Sequence, residues 1–183
     1  MGKSTAAQLL RERGVALVDT DDLAREVVQP GQPALQEIRA TFGDRFIAPD
    51  GQLRRGEMAQ LIFTDAVARK KLEAILHPRI ADAWRTQAEL WRKEGKPLGV
   101  VVIPLLYETG AEQLFDSVIC SACTPSTQHE RLLARGWTPE EIQQRIAAQM
   151  PIGEKMARAR HVIWTEGGLD IHARQLDRIL QHC

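Results

Sequence analysis

The first five residues, Met1-Gly2-Lys3-Ser4-Thr5, carry the most concentrated chemistry in the chain. Gly-Lys followed by Ser or Thr, opening a helical pattern over Ala6 to Arg13, is the back half of a phosphate-binding loop. In such a loop, backbone N–H groups and a helix N-terminus wrap a phosphate, the lysine reaches the β- and γ-phosphates, and the next hydroxyl ligates Mg2+. One helix later, Gly14 to Val18 reads as a short buried strand with Asp19-Thr20-Asp21-Asp22 at its carboxyl end. A carboxylate there can orient or deprotonate an acceptor hydroxyl beside the lysine. With one residue between them in extended backbone, Asp19 and Asp21 point to opposite sides, so only one faces the reacting phosphate. The plainer alternative for both is a solvated turn and a helix cap. Arg131 and Arg135, one helical turn apart, share a face, either as wetted surface or as cations brought to phosphates.

The elements that must place these groups follow from periodicity. Leu23 to Val28 reads as a helical turn or two, interrupted by Pro30-Gly31-Gln32-Pro33, and Ala34 to Thr41 is a second helix. Asp50-Gly51 is a turn signal ahead of a helix starting near Arg55 or Gly56. From Asp65 to Trp91 apolar residues recur at helical spacing, with Pro78 expected to bend or divide the run. Leu98 to Leu106 and Ser117 to Cys123 read as strands, the first apolar enough to be buried on both faces of a parallel sheet. Each precedes a helical pattern, Glu108 to Leu114 and Ser126 to Arg135. Thr138 with Glu141 forms a capping-box pattern for a helix reaching about Gln149. His161 to Trp164 is a last strand and Leu169 to Leu180 a closing helix. This alternation predicts an α/β fold, an open parallel sheet with helices on both faces and ligands beyond the strands' carboxyl ends.

Composition narrows the partners. Lys+Arg 24 against Asp+Glu 24 gives a formal net charge of zero, which lends no support to general nucleic-acid binding. The longest apolar run, Gly99 to Leu106, is too short to span a bilayer, and no signal peptide is legible, which makes the cytoplasm the expected location. Cys120, Cys123 and Cys183 are expected as buried or incidental thiols in a reducing compartment. The C-x-x-C spacing of the first two closes an apolar stretch and has no second pair, so neither a redox motif nor a zinc half-site is favoured.

Taken in order, the motifs resemble those of dephospho-CoA kinases over essentially the whole chain. They are Gly2-Lys3-Ser4-Thr5, Asp19-Thr20-Asp21-Asp22-Leu23-Ala24-Arg25, Pro30-Gly31-Gln32-Pro33-Ala34, Asp50-Gly51-Gln52-Leu53-Arg54-Arg55 and Leu72-Glu73-Ala74-Ile75-Leu76-His77-Pro78. Pro104-Leu105-Leu106-Tyr107-Glu108, Gln128 with Arg131 and Arg135, and Arg145-Ile146-Ala147-Ala148-Gln149-Met150 complete the set. The resemblance implies transfer of the γ-phosphoryl of ATP, with Mg2+, to the ribose 3′-hydroxyl of dephospho-coenzyme A, the final step of coenzyme A synthesis. It also implies a single P-loop kinase domain similar to the nucleoside monophosphate kinases, with a helical acceptor-binding subdomain at about 30–95 and a lid at about 135–150. Carried over, Gly2, Lys3, Ser4 and Thr5 hold the nucleotide phosphates and Ser4 lies on the Mg2+ side. Asp21 activates the 3′-hydroxyl, Arg25 holds acceptor phosphate or ribose, and His77, Leu106 and Glu108 line the acceptor pocket. Arg131, Arg135 and Arg145 bind the nucleotide, the last two from the lid, and Thr165 belongs to the adenine-side loop. A nucleoside or nucleotide kinase shares the loop, aspartate and lid; a noncatalytic nucleotide-binding module is the alternative from another class.

Two departures accompany the resemblance. Where the family pattern leads one to expect Asp or Asn before glycine, the chain reads Trp164-Thr165-Glu166-Gly167, and Thr165 lacks the paired amide geometry that reads an adenine edge. The family also has a leading strand and a glycine-rich half-loop before Gly2. Without them, the phosphate nest lacks several N–H donors and a central strand's neighbours are left exposed, so impaired folding or activity is expected.

Overall fold

The computed structural model describes residues 1–182; Cys183 lies outside the described residues. In chain order the elements are α1 (Lys3–Glu12), β1 (Ala16–Asp19), α2 (Thr20–Glu26), α3 (Pro33–Phe42), α4 (Arg55–Thr64), α5 (Ala66–Lys93) and β2 (Gly99–Val102). These are followed by β3 (Ile119–Ala122), α6 (Pro125–Leu133), α7 (Pro139–Ala147), α8 (Ile152–Arg158), β4 (His161–Trp164) and α9 (Leu169–Leu180). Two compact units result, one of Met1–Leu17 with Ile103–Cys183 and one of Val18–Val102.

In the first unit, β3 and β4 pair in parallel, Ile119 opposite His161 and Ala122 opposite Trp164. Ala122 and Ile163 are fully buried, whereas Val162 and Trp164 on the alternate positions of β4 are 40% and 39% exposed. The period of two turns the Trp164 ring outward, and its indole N–H donates to Glu166 Oε2 at 3.3 Å. Helix α1 buries Ala6, Ala7, Leu9 and Leu10, and α9 buries Leu176 and Ile179. The two helices pack together. Arg13 closes that contact by donating through Nε to Asp177 Oδ1 at 2.5 Å and through Nη2 to Oδ2 at 3.0 Å.

In the second unit, Val28, Ala34, Ile38, Phe46, Met58, Leu72 and Ile75 form one buried cluster. Ala34 with Ile38 and Leu72 with Ile75 supply it at helical spacing from α3 and α5. Asp65 caps α5 by accepting from the N–H groups of Val67 (2.8 Å) and Ala68 (2.9 Å). Of the two effects expected of Pro78, a bend or a division, the division does not occur: α5 is one helix through Pro78. Pro78 has no N–H to donate to the Ala74 carbonyl, and the Ile75 carbonyl next to it accepts from Arg79 Nη1 at 2.6 Å. Strand β2 pairs with β1.

The apolar run after β2 yields a shorter strand than expected, because Pro104 cannot donate to a ladder. Glu108 to Leu114 is likewise no α-helix but turns ending in a 3-10 segment at Ala111–Leu114. The Thr109 hydroxyl donates to the Leu105 and Leu106 carbonyls at 2.9 and 3.2 Å, a local alternative to helical bonding. Helix α8 went unanticipated, being short and polar on most sides. Among the described residues, no helix is long and apolar enough to cross a membrane.

Candidate active site

Helix α1 opens at Gly2, whose φ of 76° is left-handed and whose carbonyl accepts from Ala6 N–H at 2.9 Å. The helix has no side-chain cap and no acidic residue in its first turn, so its N-terminal N–H groups and dipole are suited to an anion. A Cβ built on Gly2 would come within 2.7 Å of Thr165 Cγ2. Only glycine satisfies both the backbone angle and this approach. Thr165, buried at the end of β4, donates its hydroxyl and its N–H to the Ala122 carbonyl at 3.1 and 2.8 Å. It accepts in turn from Arg131, Nη1 to Oγ1 at 2.9 Å and Nη2 to the carbonyl at 2.7 Å. The structure thus brings the turn at Gly2, Thr165 and Arg131 into one packed group.

Positive charge gathers at the same place. The Met1 amine is held below its usual pKa, first by burial and further by Lys3, Arg135 and Arg131, with Cys123 opposing. Three residues read separately from the sequence as phosphate-directed therefore share one neighbourhood. Ser4 is exposed and Thr5 half-buried on the first turn of α1. Among the described residues, no group of three or more His, Cys, Asp or Glu could hold a metal ion.

Helices α6 and α7 form a hairpin whose turn contains Gly136 at φ 83°, with Gly136 N–H donating to the Leu133 carbonyl at 2.8 Å. The expected capping box is present: Thr138 Oγ1 accepts from Glu141 N–H (3.3 Å) while Glu141 Oε2 accepts from Thr138 N–H (2.9 Å). Arg135 is exposed in the turn, and the Arg145 guanidinium lies 4.1 Å from the Trp137 ring centre.

Glu108, expected to line the acceptor pocket, is engaged by two donors from later in the chain. Its Oε1 accepts from Lys155 Nζ at 2.6 Å and from Met150 N–H at 2.9 Å. Burial raises its pKa, but these bonds outweigh it and the net shift is downward. Leu106, half-buried, lies in the turn before it. Sequence reasoning missed Glu166, which accepts from Thr124 N–H at 2.6 Å and from the Thr124 hydroxyl, holding the start of α6. These bonds lower its pKa to about 2. Thr124-Pro125 is a legible cap signal, whereas nothing local marks its partner 42 residues on.

In the second unit, α2 starts at Thr20, so Asp21 sits in a first helical turn rather than in extended backbone as expected. Asp19 is the N-cap, its carboxylate accepting from Asp21 N–H at 2.9 Å. The aspartates therefore differ in role through capping, not through strand alternation. Thr20 Oγ1 fixes the turn to β2 by donating to the Val102 carbonyl at 3.0 Å. Arg25 pairs with Asp22 at 3.1 Å on the exposed surface, and Arg55 Nη2 donates to the Arg25 carbonyl at 3.1 Å. His77 is exposed beside Pro78 on α5.

An uncapped helix N-terminus among basic side chains on one unit and a capped acidic turn on the other invite comparison with known proteins. The family model described as dephospho-CoA kinase matches residues 1–170. A dephospho-CoA kinase of Anaeromyxobacter dehalogenans is 44% identical over 180 residues, covering 98% of this chain and 85% of the relative. That of Bdellovibrio bacteriovorus is 39% identical over 180 residues, covering 98% and 90%. Among solved structures, TT1252 from Thermus thermophilus superposes with a TM-score of 0.82 at 34% identity, covering 99% of this chain and 91% of that one. A dephospho-CoA kinase from Campylobacter jejuni shares the fold, with a TM-score of 0.73 at 23% identity over 99% and 90% of the two chains. The fold is accordingly the α/β, parallel-stranded P-loop kinase type, and the chain belongs to the dephospho-CoA kinase family.

Proposed function

We propose that the chain transfers the γ-phosphoryl group of ATP to the ribose 3′-hydroxyl of dephospho-CoA, completing coenzyme A synthesis in the cytoplasm. Family membership supports the activity, and the observation that carries the site assignment is the uncapped α1 N-terminus at left-handed Gly2, with Lys3, Arg131 and Arg135 around it. Gly2, Lys3, Ser4 and Thr5 bind the nucleotide phosphates; Thr165 seats the loop from below and fixes Arg131. Mg2+, when bound with ATP at Ser4, supplies charge neutralisation on the phosphate oxygens.

In the reaction the 3′-oxygen forms its bond to the γ-phosphorus as the bond to the β–γ bridging oxygen breaks, and ADP leaves. Asp21 orients the hydroxyl and takes its proton, while Lys3, Arg135 and Arg145 stabilise the charge on the transferring group. We assign acceptor binding to the helical segment at about 30–95 with Arg25 and His77, and the lid to about 135–150.

The test is a coupled assay with Mg-ATP comparing dephospho-CoA with AMP, CMP and adenosine. Preference for dephospho-CoA is expected. Preference for a free nucleotide would make the chain a nucleotide kinase, and ATP binding without transfer would make it a noncatalytic module.

A further inference from the structure

Glu108 and Lys155 form a largely enclosed ion pair in the first unit, with side chains 19% and 9% exposed. Their position says what they hold. Glu108 stands in the turns after Pro104, Lys155 on α8, and between α7 and α8 runs the connection that ends the α6–α7 hairpin. The same Glu108 Oε1 that meets Lys155 also accepts from the Met150 N–H within that connection. A partly enclosed carboxylate with two donors on one oxygen, one of them a charged ammonium, resists displacement of either donor. Neighbouring contacts repeat the connection between the same segments. Arg158 of α8 pairs with Glu112, lies 4.5 Å from the Tyr107 ring centre, and donates Nη1 to Met150 Sδ at 3.7 Å.

The other end of the hairpin is fixed separately, where Arg131 grips Thr165 and Glu166 grips Thr124. The segment carrying Arg135 and Arg145 is thus tied at both ends, and the turn between its helices passes through Gly136 at a left-handed φ of 83°.

We propose that Glu108 and Lys155 are positioning residues for phosphoryl transfer. Together they pin the return end of the α6–α7 hairpin at Met150, so that Arg135 and Arg145 are delivered to the nucleotide phosphates at a fixed height. Glu108 acts through this hinge and not by contact with the acceptor. The inference rests on the lid reading of 135–150 given above, and its test includes a readout that needs no catalysis.

Glu108→Gln keeps a carbonyl acceptor for Met150 N–H and removes the charge that Lys155 needs. Lys155→Met keeps the length and removes the other charge. Each variant is expected to raise the KM for ATP and lower kcat, with turnover down about tenfold or more, because a hinge displaced by an ångström misplaces the arginines. The KM for dephospho-CoA should stay within about twofold of the parent value. Without substrates, trypsin should cleave after Arg135 and Arg145 faster in both variants than in the parent, while cleavage in Val18–Val102 is unchanged. A selective rise in the KM for dephospho-CoA with parental trypsin kinetics would place Glu108 in the acceptor pocket and overturn the proposal. Parental kinetics for both substrates in Lys155→Met would overturn it as well. If Glu108→Gln does not fold, Lys155→Met alone decides between the same outcomes. Failure of the activity reading would show as an absence of dephospho-CoA phosphorylation in the parent itself, which leaves the trypsin comparison intact.

Discussion

Replacing Gly2 by alanine tests the phosphate cradle directly. A non-glycine residue at φ 76° carries a left-handed penalty of about 1–2 kcal/mol. The new Cβ would lie 2.7 Å from Thr165 Cγ2, 3.0 Å from its Cβ and 3.2 Å from its Oγ1. Thr165 cannot retreat cheaply, since Ala122 and Arg131 hold it by four hydrogen bonds between 2.7 and 3.1 Å. Overpacking against such a fixed neighbour costs about 1–3 kcal/mol. The two costs sum to roughly 2–5 kcal/mol, and they are relieved only by conformations in which the first turn of α1 leaves its seat. Since ATP binds the seated form, its apparent affinity falls with the seated population, by about 30-fold at the lower bound.

Calorimetric titration of ATP into Gly2→Ala measures this. The double variant Gly2→Ala with Thr165→Ser removes Cγ2, the nearest atom, and leaves the backbone penalty. About tenfold of the lost affinity should return, and the rest should not. Affinity within twofold of the parent in Gly2→Ala alone would falsify the reasoning, because it would mean that the left-handed turn against Thr165 is not the ATP-binding conformation.

Other consequences are open to measurement. Asp21→Asn should lower kcat by about 100-fold or more with ATP affinity unchanged, as loss of a general base does; Asp19→Asn keeps a capping oxygen and should leave most turnover intact in the same assay. Glu166, held at about 2 against an ordinary 4.5, contributes stability that is complete above the ordinary value and lost as pH falls from 4.5 toward 2. An acid-unfolding series should therefore show a limb in that range that is absent from Glu166→Gln. His172 is buried with no hydrogen-bond partner for Nε2 among the described residues, and burial, followed by Arg131, lowers its pKa from 6.5. A depressed histidine binds its proton more weakly folded than unfolded, so thermal stability should decline as pH drops below about 6.5, and His172→Gln should flatten the decline.

Much of the frame was legible because its signals are local. The capping box at Thr138 and Glu141, the helical stripe from Asp65 to Trp91 and the turn at Asp50-Gly51 each announce themselves within a few residues. The site was legible only in part. Lys3, Arg131 and Arg135 could be named individually, but their convergence depends on Thr165, which lies 34 residues from Arg131 and shows no spacing that identifies it as a support. Glu108 shows what stays hidden: its place after an apolar strand suggests the ligand side, while its partners, Met150 in the α7–α8 connection and Lys155 on α8, lie 42 and 47 residues on. Pairings at such separation are set by packing, which a single sequence does not encode in any local pattern.

Thr165 also bears on base recognition. An adenine offers ring nitrogens as acceptors beside its amino donor, so a residue that reads the ring must have a donor to give. Thr165 has two donors, and both are committed to the Ala122 carbonyl inside a buried seat. Freeing either one would release Arg131 and the floor beneath Gly2 as well. Replacing Thr165 by asparagine, to restore an amide at this position, would therefore weaken ATP binding instead of sharpening base selection. Titration of ATP and GTP into Thr165→Asn checks this: comparable losses for both nucleotides are expected, whereas tighter binding of ATP alone would show that the side chain faces the base.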